Sequence, residues 1–586
     1  MARLKYNFTW KKYHRWFGLV LSVFMLVFCV SGIILNHREA FSGCEVSRKW
    51  LPASYHIKNF NNGVVKGTVV KKSGSLAISE GFSDSILVYG CAGVFLTDYQ
   101  LSTWQDFNAG LPKSIDERNV RHLVQARDGS LWCAALRDVY RYDENAQQWK
   151  KVELPGNEER IMDVALGKNS IQVVALTRSR IFEITPIASN IDVSESPSSL
   201  ASSAKGGVSE KSPDIFEKKS GGFSEKVGTF LGKYRVESKI IPAPKKYEPK
   251  TTLFKLVWHL HSGEFFGLPG KLVVDAIALV LIVLSITGIL LFILPYGIRR
   301  AKKLAAKARM KRLGKQFAWN MKWHNKIGYV TIVLTLWIAI TGMCLRPPLM
   351  VPLVLSKLPQ AVGEDGNVWQ DKLRAIRWDA VQGDWLVSTS EGFLRVDEDF
   401  SQAPKMLPDD ECPKLSPMGV TVWESDGKGG WIVGSFRGIY RWNPVNHSLN
   451  QILDYFTGKP SEETSMIPIS DNLVCGYSED FLGGKPLVFD FAKGVEDAKG
   501  QAVALCNDEP KKSRNEESMS DLICETAPMS LWNVALELHV GRCYSPFLGP
   551  LSDLFVFLSG LLITLVLLSG YIISHRRRKK AQARLK

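Results

Sequence analysis

The sequence predicts a membrane protein. Its four-helix transmembrane bundle would come from a duplicated helix–domain–helix unit, with extracytoplasmic all-β domains that are propeller-like. Three observations lead to this fold class: four apolar segments, an internal repeat, and strand-like alternation in two long loops. Each apolar segment is close to the ~20 residues that an α-helix needs to cross a bilayer. The segments are Trp16–Leu35, Ala276–Leu294, Ile327–Leu345 and Leu554–Ser574.

The distribution of basic residues predicts the side of the membrane on which each loop lies. Five Lys or Arg lie in residues 1–15, eleven in 295–326 and seven in 575–586, and these segments contain no Asp or Glu. Cytoplasmic flanks of membrane spans are enriched in this way. We therefore expect a cytoplasmic (inner) membrane protein with cytoplasmic N- and C-termini and outer long loops. Because the net charge of +16 is concentrated beside the spans, it does not indicate nucleic-acid binding.

The two halves of the chain repeat each other. KKYHRWFG at 11–18 aligns with MKWHNKIG at 321–328, with a constant offset of 310 residues. LHSG at 260–263 aligns with LHVG at 538–541, with an offset of 278 residues. A repeat on this scale indicates duplication of one unit that contains a span, a large outer domain and a second span.

A shorter pattern recurs within the two outer loops. Its clearest copies are LWCAALRDVYRYD at 131–143, DWLVSTSEGFLRVD at 384–397 and GWIVGSFRGIYRWN at 430–443. Alternating strands separated by turns, in units of ~40–50 residues, are typical of propeller blades. We predict about six blade-like units in one β-rich body, with Trp132, Trp385 and Trp431 at matching inter-sheet core positions. Two separate β-sandwiches are the alternative.

These patterns divide the chain into nine segments. Residues 186–250 are rich in Gly, Ser and Lys, which predicts a flexible linker. The segments are: 1–36, cytoplasmic N-terminus and span 1; 37–185, outer β domain and first half-propeller; 186–250, linker; 251–294, outer lead-in and span 2; 295–326, basic cytoplasmic loop; 327–345, span 3; 346–530, outer β domain and second half-propeller; 531–574, outer lead-in and span 4; and 575–586, basic cytoplasmic tail.

Histidines cluster at the ends of the spans. His14 and His324 are equivalent in the repeat, as are His261 and His539, and His37 ends the first span. An ionisable side chain at a membrane boundary is costly unless it has a partner or a task. Two neutral imidazoles are suitable axial ligands of haem iron, whereas no Cys or carboxylate accompanies them at zinc-ligand spacing. Interfacial anchoring is the alternative interpretation.

The spacing predicts that two glycines share a helix face with two of these histidines. Gly32 lies 18 residues after His14, which is five helical turns, and Gly342 has the same relation to His324. We interpret this spacing as room for a flat macrocycle to approach the helix backbone beside His14 and His324. Tight helix–helix packing at small residues is the alternative.

Four motifs in order carry a resemblance to a known family. They are HRWFG with SGIILNHRE, LHSGEFFG, WHNKIG with ITGM, and LELHVGR. The sequence resembles the PepSY-associated transmembrane helix family, which includes iron-regulated membrane proteins and siderophore-linked ferric reductases. The resemblance implies one or two haem b groups between the spans. It implies His14 and His324 as inner-side ligands of the haem iron and His261 and His539 as outer-side ligands.

We therefore expect a haem-binding transmembrane electron-transfer protein of the ferric-reductase type, surrounded by the lipid bilayer. A cytoplasmic or quinone donor would supply electrons, and ferric iron, a siderophore or another outer acceptor would receive them. The alternative is a non-redox membrane-anchored propeller that binds a ligand or a partner protein. Asp275 and Asp553, at equivalent boundary positions, are candidate proton-relay residues; pairing with Lys271 or Arg542 is the alternative for them.

The outer histidine site poses a geometric problem. A straight helix would place His261 ~21 Å beyond Asp275, too far out for a haem inside the bilayer. Gly267, Pro269 and Gly270 could break the helix and fold His261 back, or the haem would lie at the surface. His37, at the outer end of the first span, is then a suitable partner at the outer site.

Ten cysteines are present. Cys506 and Cys524 flank a polar loop in a compartment that permits disulfides, and they are the best local candidates for a bridge. Free thiols are the alternative for the cysteines outside the spans. Cys91, Cys133 and Cys475 lie in apolar strand-like runs, which favours a role in core packing.

Overall fold

A computed structural model gives the architecture of the chain. It describes residues 2–71, 85–101, 103–156, 159–186, 229–231, 234–362, 365–416, 418–436, 438–451, 473–481, 483–497, 500–504, 523 and 527–585. The helices of more than eight residues in this part of the chain are α1 Ala2–Asn36, α2 Leu253–Ser262, α3 Gly267–Lys303, α4 Lys307–Val330, α5 Ile332–Cys344, α6 Leu531–His539 and α7 Ser552–Leu585. Three shorter helices are Ile115–Arg118, Met350–Leu355 and Ser545–Leu548.

Three described helical stretches are long and apolar enough to cross a membrane. They are Trp10–Asn36, Glu264–Lys303 and Ser552–Lys580, and the pair α4 and α5 qualifies as a fourth span if it is taken together. α1 packs on α3 and α7, α3 on α4, and α5 on α7. A buried apolar cluster that includes Cys29 and Ile277 joins α1 to α3.

The third span differs from the straight helix expected over Ile327–Leu345. α4 and α5 meet at an angle of 69°. At the break, the Thr331 hydroxyl donates to the Ile327 carbonyl at 2.9 Å. Such side-chain bonds to the preceding turn compete with the backbone ladder and bend helices.

The basic segment 295–326, which we expected to be a loop, is mostly helical. α3 continues to Lys303 and α4 begins at Lys307, so only residues 304–306 connect them. Lys, Arg and Ala are strong helix formers, which explains why the spans extend beyond their apolar parts. The basic tail from His575 is likewise part of α7.

The outer loops form six antiparallel sheets in the described part of the chain. Sheet 1 contains Gly67–Lys71, Ser85–Gly90, Gly93–Thr97 and Trp104–Asp106; sheet 2, His122–Gln125, Leu131–Ala134, Val139–Asp143 and Gln148–Val152; sheet 3, Ile161–Leu166, Val173–Thr177, Ile181–Pro186, Tyr234–Lys239 and Thr229–Leu231. Sheet 4 contains Leu373–Asp379, Asp384–Thr389, Gly392–Val396 and Lys405–Met406; sheet 5, Val422–Ser425, Trp431–Ser435, Gly438–Asn443 and Ser448–Gln451; sheet 6, Val474–Ser478, Leu487–Asp490 and Gly494–Asp497.

Consecutive sheets pack face to face through shared apolar cores. Sheet 6 also packs on sheet 1, where Phe489 shares a core with Ile86 and Val88. Two short ladders tie the sheets to the helices. Glu45–Val46 pairs with Met529–Ser530 just before α6, and Lys250–Thr252 pairs with Lys357–Pro359 just before α2.

The three tryptophans of the repeated strand pattern lie in inter-sheet cores, but not at matching positions. Trp132 faces sheet 3, the sheet that follows its own, whereas Trp385 and Trp431 pack toward the sheet that precedes theirs. The expected equivalence is therefore wrong for Trp132. The hairpin of Trp132 closes at Ala135, three residues after the tryptophan, whereas those of Trp385 and Trp431 close four residues after it. Successive side chains of a strand point to opposite faces, so this difference of one residue turns Trp132 to the other face of its sheet.

The predicted linker 186–250 is partly structured. Tyr234–Lys239 pairs with Ile181–Pro186 in sheet 3, and Thr229–Leu231 pairs with Tyr234–Lys239 at the edge. Alternation explains the strand, because Val236 turns into the core while its neighbours are more exposed. Residues 187–228 of this segment lie outside the described residues.

The eight described cysteines are free thiols. Cys133 and Cys475 are buried in inter-sheet cores, and the partly buried Cys91 packs against the core between sheets 1 and 6. The candidate bridge between Cys506 and Cys524 falls outside the described residues.

Candidate functional site

Two pairs of imidazoles lie within the helical bundle. His14 of α1 faces His324 of α4, with 6.3 Å between ring centroids. His261 of α2 faces His539 of α6, with 6.2 Å between ring centroids. The repeat-equivalent histidines are therefore neighbours in space, and each pair combines one histidine from each half of the chain.

A hydroxyl group holds each imidazole through its Nδ1 atom. In the first pair, His14 Nδ1 lies 2.9 Å from Ser569 Oγ, and His324 Nδ1 lies 2.9 Å from Thr287 Oγ1. The second pair repeats this arrangement. His261 Nδ1 lies 3.0 Å from Thr341 Oγ1, and His539 Nδ1 lies 2.9 Å from Ser31 Oγ.

The hydroxyl protons determine which imidazole nitrogen carries hydrogen. Each hydroxyl donates to a carbonyl three or four residues earlier in its own helix, so it accepts from the imidazole. Nδ1 is therefore protonated, and the neutral ring keeps a free lone pair on Nε2. Within the described part of the chain, no group hydrogen-bonds to Nε2 of any of the four rings.

A glycine follows each of these hydroxyl residues and lets the ring approach its helix. A Cβ atom added at Gly342 would lie 2.8 Å from His261 Cε1, and one at Gly570 would lie 2.9 Å from His14 Cε1. The corresponding distances are 3.3 Å for Gly32 and His539, and 3.6 Å for Gly288 and His324. The bundle thus contains four Ser/Thr-Gly cradles, one for each imidazole.

The cradles exchange partners between the two halves of the chain. His14 and His261, from the first half, bind the cradles of α7 and α5 in the second half. His324 and His539, from the second half, bind the cradles of α3 and α1 in the first. Neither half can hold its own histidines in this arrangement.

A turn between α2 and α3 brings His261 back into the bundle. α2 ends at Ser262, Gly263 adopts a left-handed conformation with φ of 78°, and α3 begins at Gly267. The break begins at Gly263, which we did not expect, and ends at Gly267, which we did expect and which also has a positive φ of 61°. Pro269 and Gly270 lie within the first turn of α3. A Cβ atom at Gly263 would collide with the Gly270 carbonyl, so the turn requires glycine.

His539 is placed in the same way. α6 ends at His539, and Gly541 is left-handed with φ of 83°. Both lead-in helices have hydroxyl N-caps: Thr252 accepts from the Lys255 backbone N–H, and Ser530 accepts from that of Asn533. The equivalent local sequences therefore fold into equivalent helix–turn units.

His37 lies apart from the second pair, His261 and His539. Its Nε2 is 2.6 Å from Asp275 Oδ2, and Asn36 Nδ2 donates to Asp275 Oδ1 at 3.2 Å. The structure therefore gives His37 a carboxylate partner and does not bring it to His261 and His539. Neither alternative partner binds Asp275, because Lys271 pairs with Glu264 and Arg542 pairs with Glu537. Asp553 pairs with Arg346 at 3.2 Å.

An apolar recess of about 410 Å³ adjoins His14. Aromatic side chains of α1 form one wall and leucines of α7 form the other. The lining residues include Trp10, Tyr13, Phe17, Leu562 and Leu565. Its apolar lining suits a flat apolar group beside His14.

Sequence reasoning found the histidines but missed half of the cradles. Thr287-Gly288 and Ser569-Gly570 were not singled out, although a Ser/Thr-Gly dipeptide in all four spans was a readable signal. The interpretation of Gly32 as room beside His14 is wrong, because Gly32 contacts His539. Gly18 and Gly328 lie near Val566 and Leu284, consistent with helix packing.

The helical bundle and its two equivalent histidine-bearing units are those of a multi-pass membrane protein with a duplicated transmembrane unit. The family model for the PepSY-associated TM region matches residues 4–294 and 292–578. The chain therefore belongs to the PepSY-associated TM family.

Two solved structures give a distant likeness. They are named as the extracellular domain of BT4673 from B. thetaiotaomicron, described once as a one component system and once as a hybrid two component system. Both are 10% identical, with TM-scores of 0.29 and 0.30. The match covers 75% of this chain but only 39% of those chains. No curated protein matches the chain.

Proposed function

We propose that this chain is a haem-binding transmembrane electron-transfer protein. One haem b would be held by His14 and His324, and a second by His261 and His539. The acceptor would be ferric iron or another oxidant on the outer face. The observation that carries the proposal is the pairing of four imidazoles, each with Nδ1 bound to a hydroxyl and Nε2 free.

The spacing of the rings supports a shared metal ion. An imidazole nitrogen binds a metal at about 2 Å, with its ring centre roughly 1.1 Å behind it, so two axial rings would have centroids about 6 Å apart. The centroid distances of 6.3 and 6.2 Å agree with this spacing.

The donor set favours haem over a bare metal ion. Two imidazoles alone do not complete the coordination of zinc or iron. In the described residues, no group of three or more His, Cys, Asp or Glu is arranged to hold a metal. A porphyrin supplies the four missing nitrogens itself, and the apolar recess beside His14 suits its faces.

The chain's own residues would fix the properties of such centres. Haem iron, when bound, supplies one-electron redox chemistry. The hydroxyl cradles hold each ring in one tautomer and orientation, and second-sphere hydrogen bonds of this kind raise ligand basicity. The surrounding helices leave the four imidazoles only partly exposed.

The positions of the two pairs support electron transfer across the membrane. His14 belongs to one pair, whereas Gly32 contacts the other, and these residues are ~27 Å apart along α1. That distance approaches the ~30 Å thickness of the hydrocarbon core. We place the His14 pair on the cytoplasmic side because basic residues flank it, so a cytoplasmic or quinone donor would deliver electrons there.

We extend the proposal to the outer region and to the boundary carboxylate. The six sheets would form a closed six-bladed propeller outside the membrane, since their shared cores link sheet 1 to sheet 6. Asp275 with His37 would be a proton-relay pair near the outer site, because their 2.6 Å contact joins two groups that can each carry a proton. Asp553, paired with Arg346, is a weaker candidate for this role.

A visible spectrum of the purified chain tests the proposal. After expression with adequate haem, we expect a Soret band and the spectrum of low-spin, six-coordinate haem at about two haems per chain. His14→Ala and His324→Ala should each lower haem content by about half, since each removes one ligand of one site. His56→Ala and His447→Ala, in the outer domain, are the controls. A chain without a Soret band would refute the proposal.

Reporter fusions test the orientation separately. Fusions after the connection near residue 305 and at the C-terminus should report cytoplasm, and those near residues 140 and 430 should report the outside. An outer signal near 305 would reverse the assignment of donor and acceptor sides.

A further inference from the structure

An unbalanced cluster of arginines lies where the outer sheets meet the membrane helices. We refer to it as the arginine cluster; its members are Arg38, Arg121, Arg160, Arg178 and Arg374. Arg38 follows α1 by two residues, and Arg121 and Arg160 immediately precede the first strands of sheets 2 and 3. Arg374 is near the start of the first strand of sheet 4. Because the first strand of sheet 3 contacts the first strands of both sheet 2 and sheet 4, these cations converge at one end of the sheets.

Contacts around Trp532 place this cluster against the helices. The Arg38 guanidinium lies 4.0 Å from the Trp532 ring centroid, and that of Arg160 lies 5.9 Å from it. Trp532 also donates its indole N–H to the Leu35 carbonyl at the end of α1. Since α6 carries His539 seven residues later, the cluster lies ~10 Å along α6 from the outer imidazole pair.

Carboxylates neutralise only part of the cluster. Asp116 forms a two-point contact with Arg38 at 2.6 and 2.7 Å. Asp371 binds Arg178 at 2.8 Å, but it is shared with Lys255, also at 2.8 Å. In the described residues, no carboxylate lies within ion-pair distance of Arg121 or Arg160. The Arg121 guanidinium donates to the Met162 sulfur at 3.2 Å, and a thioether sulfur is a weak acceptor.

The electrostatics of the cluster agree with its geometry. Burial and the neighbouring guanidiniums lower the pKa of Arg160 to about 9 and that of Arg121 to about 10, although Asp116 and Asp163 act in the opposite direction. Lys66, which precedes the first strand of sheet 1, has its pKa lowered to about 8, mainly by burial and in part by Arg121. Charges held together out of water without counter-charges are costly unless an anion joins them.

We infer that the arginine cluster is a binding site for a multivalent oxyanion, whose carboxylate or phosphate groups would contact Arg121 and Arg160. Guanidinium groups bind both kinds of oxyanion through paired N–H donors. The oxyanion has two possible sources at this place, a soluble polycarboxylate from the outer compartment and a phospholipid headgroup from the outer leaflet. If the proposed electron-transfer function holds, this site would receive an anionic acceptor beside the outer pair; the binding itself does not depend on haem.

Calorimetry on the full-length protein tests this inference. The probe is citrate, titrated at low ionic strength into protein in nanodiscs of phosphatidylcholine. We expect binding that weakens about tenfold or more in Arg121→Gln and Arg160→Gln, because each loses a charged hydrogen-bonding group. Arg180→Gln is the matched control, since Arg180 lies two residues from Arg178 but pairs with Asp365 at an exposed position. Arg160→Lys keeps the charge but loses the paired N–H donors of the guanidinium, so its affinity for citrate should be intermediate.

A lipid arm separates the two sources. If headgroups occupy the site, nanodiscs containing phosphatidylglycerol should block citrate binding and raise the melting temperature of the wild type but not of Arg160→Gln. Either source supports the inference. Absence of citrate binding together with no effect of phosphatidylglycerol would overturn it, as would unchanged citrate affinity in folded Arg121→Gln and Arg160→Gln. A chain that binds citrate but lacks haem would refute the electron-transfer proposal alone.

Discussion

At each candidate ligand histidine, one glycine sets how closely the imidazole approaches the neighbouring helix. A methyl group at Gly342 or Gly570 would lie 2.8 or 2.9 Å from an imidazole carbon, inside any permitted contact. The ring, rather than the packed helix, would have to move. A methyl group at Gly18 would lie 3.8 Å from Val566 Cγ1, which is an ordinary contact.

We therefore predict a graded alanine series. Gly342→Ala and Gly570→Ala should each lose most of the haem of one site, about half of the total, whereas Gly32→Ala and Gly288→Ala should lose less. Gly18→Ala should retain all haem and gain up to ~1 kcal/mol of stability from helix propensity. The measurement is the haem-to-protein absorbance ratio. Equal haem contents across the series would contradict the cradle role of these glycines.

The hydroxyl groups should matter through the tautomer that they select. Thr287→Val keeps the shape of the side chain but removes the acceptor for His324 Nδ1–H. We expect haem affinity at that site to fall ~10–100-fold, as is typical when a partner of a metal-ligating histidine is removed. Thr335→Val is the matched control, because Thr335 is buried in α5 and bonds only to carbonyls of its own helix. The measurement is a haem titration of the apoprotein. Equal haem affinity in Thr287→Val and Thr335→Val would refute the expectation.

On the scale of elements, the turn between α2 and α3 decides whether His261 can reach His539. A straight helix would carry His261 out of the bundle, and the left-handed Gly263 instead reverses the chain before α3 begins. The sequence contained the necessary glycines and the equivalent LHSG and LHVG motifs. It did not show which glycine would turn, because that choice depends on the close approach of Gly263 to Gly270.

Replacing this glycine should disable the outer pair selectively. In Gly263→Ala, a left-handed alanine costs ~1–2 kcal/mol, and the methyl group also collides with the Gly270 carbonyl. We expect loss of the outer haem signal, with the inner signal retained. Gly427→Ala is the control, because Gly427 is also left-handed, with φ of 67°, but its Cβ would enter open space. Redox titration, which resolves the two centres, should show one wave for Gly263→Ala and two for Gly427→Ala.

The sequence predicted elements better than it predicted their junctions. Apolar length located the spans and alternation located the strands, because these patterns follow from burial over many residues. Three features were not predicted: the bend at Thr331, the helical continuation from Pro295 to Lys303, and the sheet face on which Trp132 lies. Each depends on a few local interactions or on a strand register that differs by one residue. The histidine pairs could be predicted because the sequence repeat identifies equivalent residues in the two halves. Their cradles were harder to predict because they come from helices that are distant in sequence.

On the scale of the whole molecule, the two halves of the chain complete each other twice. In the membrane, every candidate ligand histidine binds a cradle of the other half. Outside, sheet 3 packs on sheet 4 and sheet 6 on sheet 1, so two of the inter-sheet cores combine both halves. Separated halves would expose these cores, with Leu176, Ile376 and Phe489 among the residues uncovered.

This mutual dependence predicts the behaviour of a split protein. The connection at residues 304–306 is short and lies between two long helices, so a break there removes no sheet or cradle. Fragments 1–305 and 306–586 should copurify when co-expressed and bind haem in the wild-type ratio. Either fragment alone should lack haem and be digested rapidly, because its apolar faces are unpaired. Limited proteolysis and the Soret absorbance provide the measurements. A single fragment that resists protease and retains haem would show that each half folds independently, contrary to the exchange of cradles and cores between them.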